Sequence, residues 1–123
     1  MMESKPGKAA WTDLTIGGTE NVRDFYKAVI GWTHQDLSMG EYSDYVMSTG
    51  EGEPAAGICH PRGGNAKLPP VWLVYFGVED LAASLEQCRT RGGKVLAGPK
   101  GQGKGSYAVI EDPSGAVCAL SQV

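Results

Sequence analysis

The stretch Trp11–Trp32, WTDLTIGGTENVRDFYKAVIGW, changes its periodicity halfway along. Residues 11–16 place polar side chains at every second position, which suits a strand with one polar face. After Gly17-Gly18, the apolar residues Val22, Phe25, Tyr26, Val29 and Ile30 recur at helical spacing. That spacing predicts an amphipathic helix, with Phe25 and Tyr26 facing a core. Thr19 reads as its N-cap, Glu20 suits the positive end of the helix dipole, and Gly31 reads as its stop. Three further strand segments follow, WTHQDLS (32–38), EYSDYVMS (41–48) and PAAGICH (54–60), separated by Gly40 and by GEGEP.

The second half of the chain repeats this order. Ile16 and Val78, Gly31 and Gly93, and Tyr45 and Tyr107 each stand 62 residues apart. VWLVYFGV (71–78) reads as a strand, with Trp72 and Phe76 packing under a helix. Asp80 is the expected N-cap of that helix, which makes capping the reading of Glu79-Asp80. Leu81, Leu85 and Cys88 form its buried stripe, and Gly92-Gly93 end it. KVLAGP, SYAVIED and AVCALSQ supply three more strands. The whole chain is expected to form one α+β domain of two βαβββ modules, at about 10–60 and 71–122. Residues 61–70, PRGGNAKLPP, form the linker. A four-stranded sheet with one helix covers only one face, so two modules are expected to pair into a curved mixed sheet around a cleft, helices outside.

Composition narrows the function. The formal net charge is −3, which argues against nucleic acid as the main partner. No apolar run is long enough to span a membrane, and MMESKPGKAA lacks the apolar core of a signal peptide, so a cytoplasmic protein is expected. Cys59, Cys88 and Cys118 are odd in number and form no C-x-x-C pair, which argues against a disulfide framework. Cys88 and Cys118 read as small core residues. His34 reads as exposed and His60 as a loop-edge residue. Cys59-His60 makes a poor nucleophilic dyad, because adjacent strand residues point to opposite faces. GPKGQGKGS (98–106) nearly matches the P-loop pattern, but Gly105 stands where Ser or Thr is needed and a strand follows instead of a helix. Lys100 and Lys104 are left as cations at the rim of the cleft, on a loop able to act as a lid.

DLTIGG…VRDFYKAVIGW, YFGVEDLAASLEQCRTRGGKV and IEDPSGAVCAL together resemble the vicinal oxygen chelate superfamily, which includes glyoxalase I, bleomycin-resistance proteins and extradiol dioxygenases. The resemblance covers nearly the whole chain, from about Ala10 to Gln122. It implies paired βαβββ modules, a homodimer, and a small-molecule ligand in the concave sheet. In the family's enzymes it also implies one divalent metal on strand ends, held by His and Glu at about 2.0–2.2 Å. Matched residue by residue, those metal positions fall on Trp11, Gly57, Leu73 and Ala119, none with a side-chain donor. A two-residue slip along the same faces gives Asp13, Tyr75, Cys59 and Ser121, a poor set for iron, zinc or nickel. No metal is therefore expected at the usual place and no cofactor is predicted, although a divalent metal on atypical ligands stays open.

The expected ligand-binding residues are Trp11, Asp13, Thr15, Tyr45, Cys59, Tyr75, Tyr107 and Glu111. Together they would offer stacking surfaces and a few hydrogen-bond partners to an organic molecule. Asp13, Tyr75 and Glu111 are the candidates for acid–base chemistry. Two function classes follow. One is a metal-free binding protein, as in the family's drug-resistance branch. The other is a lyase, isomerase or dioxygenase using atypical ligands or metal-free acid–base groups.

Overall fold

The computed structural model describes residues 5–123. Its elements run β1 (Ala9–Thr15), α1 (Thr19–Ile30), β2 (Thr33–Ser38), β3 (Ser43–Ser48), β4 (Pro54–Cys59), β5 (Trp72–Val78), α2 (Leu81–Thr90), β6 (Lys94–Lys100), β7 (Tyr107–Glu111) and β8 (Val117–Gln122). Every expected strand and helix is present. The linker adds one short 3-10 turn at Gly63–Asn65. Among the described residues the chain divides into two compact units: residues 12–72 form the first, and residues 5–11 with 73–123 form the second.

In the first unit the strands lie in the order β2-β3-β4-β1, with β1 parallel to β4 and the other pairs antiparallel. The second unit repeats this as β5-β8-β7-β6, with β5 parallel to β8. Each unit is thus a βαβββ module, and the fold is α+β.

α1 covers one face of its sheet. Tyr45, Met47, Ala56 and Ile58 form the buried floor, and Tyr26, Trp32 and Trp72 pack on it. The Tyr26 and Trp72 rings meet edge to face at 5.1 Å, and Trp72 Nε1 donates to the Tyr26 hydroxyl at 3.2 Å. Such pairs add about 0.5–1.5 kcal/mol beyond burial. In the second unit the floor is Leu81, Leu85 and Ala108, edged by Val78, Val95, Ile110 and Leu120.

Several residues differ from their expected places. The N-cap of α1 is Gly18, at φ 64°, not Thr19; Thr19 is the first helical residue and its hydroxyl donates to the Ile16 carbonyl at 2.7 Å. Gly supplies the left-handed turn that Thr would strain to adopt. Asp80 caps α2 as expected, accepting from Ala83 N at 3.0 Å. Phe25 is 57% exposed, not core, because it lies on the flank of α1 beyond Tyr26. Phe76 is 38% exposed instead of packed beneath a helix, and His34 is half-buried against the Tyr45 ring, not exposed.

His60 is no loose loop residue. Its Nε2 lies 2.8 Å from Glu20 Oε2 and its Nδ1 3.2 Å from Asp44 Oδ1, while its backbone N–H donates to the same Asp44 oxygen at 2.8 Å. The Tyr45 hydroxyl donates to Glu20 Oε2 at 2.7 Å. These contacts clasp the first turn of α1 to β3 and to the end of β4. The Tyr45 hydrogen bond is the largest cause holding the Glu20 carboxyl below its ordinary value.

Residues 5–8 turn back onto β5. Gly7 N donates to the Gly77 carbonyl at 2.7 Å, and Gly77 N donates to the Lys8 carbonyl at 2.9 Å. A Cβ on Gly77 would stand 2.5 Å from the Lys5 carbonyl oxygen, a contact that no side chain can make.

Gly77→Ala is therefore expected to displace residues 5–8 and to cost about 1–3 kcal/mol, read as a lowered urea midpoint; an unchanged midpoint would contradict the close approach. The clasp yields a second expectation. Because the folded Glu20 carboxyl sits below its unfolded value, its contribution is present at neutral pH and is lost as pH falls through the folded value. In a series of melting curves at descending pH, Tyr45→Phe should show a shallower acid-side loss than the parent protein.

Candidate functional site

Strand register sorts the candidate residues by face, since directly paired residues share a face and neighbours along a strand alternate. In the first unit Asp13 pairs with Gly57, Thr15 with Cys59, and Gly57 with Val46. The face of Asp13 therefore also carries Thr15, Cys59 and, by alternation from Val46, Asp44. Trp11 follows the same alternation on β1. This is the face that α1 leaves uncovered.

Tyr45 is a correction. It pairs with Ile58, which pairs with Leu14, so it lies on the helix-covered face with its hydroxyl on Glu20. The cause is a slip of one residue. Tyr107 pairs with Ser121, but Ile58, the partner of Tyr45, corresponds across the repeat to Leu120, the partner of Ala108. Tyr45 is thus the counterpart of Ala108, and a one-residue slip turns a strand side chain over.

The open face of the first unit is acidic and partly buried. Burial pushes the Cys59 thiol well above its ordinary value, and the nearby Asp13 and Asp44 carboxylates push it further. A thiol held so firmly protonated is neither a nucleophile nor a thiolate ligand. Asp44, 8% exposed and held by His60, is the acid that sequence reasoning missed. Its signal was its alternation with Val46, which becomes readable only once the register is known.

In the second unit Tyr75 pairs with Ala119, which pairs with Val109; Gly77 pairs with Ser121, which pairs with Tyr107. The rings of Tyr75 and Tyr107 lie 5.9 Å apart at 54°. The Lys100 ammonium stands 6.0 Å from the Tyr107 ring centroid. Tyr75, Tyr107, Ser121 and Lys100 therefore gather on the face opposite α2. Glu111 shares the face but stands at the far end of β7, about 13 Å along the strand from Tyr107. Its carboxylate lies 3.9 Å from the Lys94 ammonium. The structure thus brings two phenols, a hydroxyl and a cation together and leaves Glu111 outside.

The family's metal positions do not fit a metal. Trp11, Gly57, Leu73 and Ala119 offer no donor atoms, and Leu73, Gly57 and Ala119 are buried. Among the described residues, no group of three or more His, Cys, Asp or Glu side chains is placed to hold a metal ion.

Comparison with known proteins places this geometry. Residues 8–120 match the family described as the Glyoxalase/Bleomycin resistance protein/Dioxygenase superfamily. The chain is 32% identical over 133 residues to the anthracycline biosynthesis protein DnrV of Streptomyces peucetius, covering 98% of this chain and 48% of that one. It is 31% identical over 119 residues to CFP32 of Mycobacterium tuberculosis, a protein named as a glyoxylase, covering 95% of this chain and 44% of that one. The chain thus spans about half the length of the curated relatives it matches. Among solved structures, Streptomyces coelicolor methylmalonyl-CoA epimerase, in complex with 2-nitronate-propionyl-CoA, aligns at a TM-score of 0.54 and 15% identity, covering 96% and 98% of the two chains, a likeness of fold. With its two βαβββ units and a family match over nearly all its length, this chain belongs to the Glyoxalase/Bleomycin resistance protein/Dioxygenase superfamily.

Proposed function

We propose that this protein binds a flat, aromatic, oxygen-bearing small molecule on the open sheet face of its second unit, without a metal at the family's usual positions. The observation that carries the reading is the Tyr75–Tyr107 pair with Lys100 beside it. Two phenol rings offer stacking area, Ser121 and the phenol hydroxyls offer hydrogen bonds, and the ammonium suits a phenolate or carboxylate on the ligand. The resemblance to a protein named for anthracycline biosynthesis supports a fused-ring ligand. Sequestration is the role this chemistry serves most simply, since it needs no reacting group. The reading includes a cytoplasmic homodimer; no helix among the described residues is long and apolar enough to cross a membrane.

A second reading is metal-free acid–base chemistry on the first unit's open face. It is favoured by one observation, the partly buried grouping of Asp13, Asp44 and Cys59. Turnover of a 2-oxoaldehyde adduct that is lost in Asp13→Asn, with ligand binding retained, would select it.

The binding reading is tested by fluorescence titration with the hydroxyanthraquinone alizarin in the presence of a chelator. Saturable binding should survive chelation, and Tyr75→Ala and Tyr107→Ala should each weaken it about tenfold, the equivalent of about 1.4 kcal/mol. Binding that chelation abolishes, or that both substitutions leave intact, would sink the reading.

A further inference from the structure

Once the one-residue slip is counted, the β2–β3 and β6–β7 hairpins match at an offset of 63 residues. Leu37 pairs with Asp44, and its counterpart Lys100 pairs with Tyr107. Gly40, at φ 97°, corresponds to Gly103, at φ 65°. The two hairpins are thus alike in length and in the glycine of the turn, but opposite in charge. Residues 37–44, LSMGEYSD, hold two acids, Glu41 and Asp44, and no lysine or arginine. Residues 100–107, KGQGKGSY, hold two lysines, Lys100 and Lys104, and no acid. Lys104 stands where Glu41 does, and Lys100 where Leu37 does. The hairpin fold therefore does not require the positive charge of the second unit.

Lys100 also differs from Lys94, the other lysine of β6. Lys94 has the Glu111 carboxylate at 3.9 Å. Among the described residues Lys100 enters no ion pair. It is half-buried, and its ammonium lies 6.0 Å from the Tyr107 ring centroid. A molecule lying on Tyr107 strips water from that ammonium. A neutral molecule leaves the charge uncompensated, at a cost in free energy, whereas an anionic group offsets the loss.

We propose that Lys100 makes the tyrosine face of the second unit select aromatic acids over neutral aromatic molecules of the same shape; the proposal rests on the binding reading above and narrows its ligand class. The group recognised is a carboxylate or ionised phenol at the edge of a ring that lies on Tyr107. Lys104, exposed on the turn, adds to the positive potential that draws such a ligand in.

The test is calorimetric titration with two probes of one ring frame, anthraquinone-2-carboxylate and anthraquinone-2-carboxamide, with a chelator present. The parent protein is expected to bind the carboxylate about fivefold more tightly, near the upper end for ion pairs open to solvent. In Lys100→Gln the carboxylate should weaken to the level of the carboxamide, and Lys100→Arg should restore the preference. The control, Lys94→Gln, removes the same charge from the far end of the strand and should keep it. Circular dichroism melting checks that each variant folds. Raising the salt concentration should shrink the parent's preference, a readout that needs no variant. The inference is overturned, and the binding reading left standing, by equal binding of the two probes or by a carboxylate that fails to bind where alizarin binds. A preference that salt leaves unmoved, that a folded Lys100→Gln keeps, or that Lys94→Gln also loses has the same meaning. If alizarin fails to bind as well, the inference and the binding reading fall together.

Discussion

A four-stranded sheet has two faces, and each unit of this protein has one helix to cover them. Everything functional follows from that shortfall. On the covered face apolar packing decides: Met47, Ala56 and Ile58 lie fully buried beneath Tyr26 and Trp72 in the first unit, and Ala108 lies beneath Leu81 and Leu85 in the second. On the uncovered face the strands present Asp13, Thr15, Cys59 and Asp44 in one unit, and Tyr75, Tyr107 and Ser121 in the other. Polar and aromatic groups on a rigid sheet, with little flexibility to lose, suit recognition of a small molecule.

The two units solve the same architectural problem with different chemistry. α2 is held by an Asp80 cap and by Leu81 and Leu85. α1 starts at a glycine without a side-chain cap, and a polar clasp of Glu20, His60, Asp44 and Tyr45 takes over the anchoring. The clasp spans the sheet edge, because Asp44 belongs to the open face and Tyr45 to the covered one. The open-face acid is thereby oriented from behind. Burial pushes the thiols of Cys59 and Cys118 up, which keeps them as neutral packing groups.

Most of the fold was legible in the chain. The spacing of Val22, Tyr26 and Ile30, the stop at Gly31, and the repetition of the pattern 62 residues on carried the order of strands and helices in both halves. The site was legible only where strand parity was secure. Tyr75 and Tyr107 were placed on one face correctly, since the β5-β8-β7 registers follow the repeat without interruption. Tyr45 was not, because the repeat slips by one residue between β3 and β7, and β3 itself shifts register between Met47 and Ser48. The roles of Asp44 and His60 were invisible for a different reason. Their partnership joins residues 16 apart through a side chain, which no periodicity encodes.

The proposed ligand site is the uncovered face of the second unit. Two-dimensional NMR of the isotope-labelled protein, titrated with alizarin, tests it directly. The largest shifts are expected at Tyr75, Tyr107, Ala119 and Ser121, with the covered-face residues Val78, Leu85 and Leu120 nearly still. Shifts concentrated at the covered-face residues and absent from the two tyrosines would contradict it.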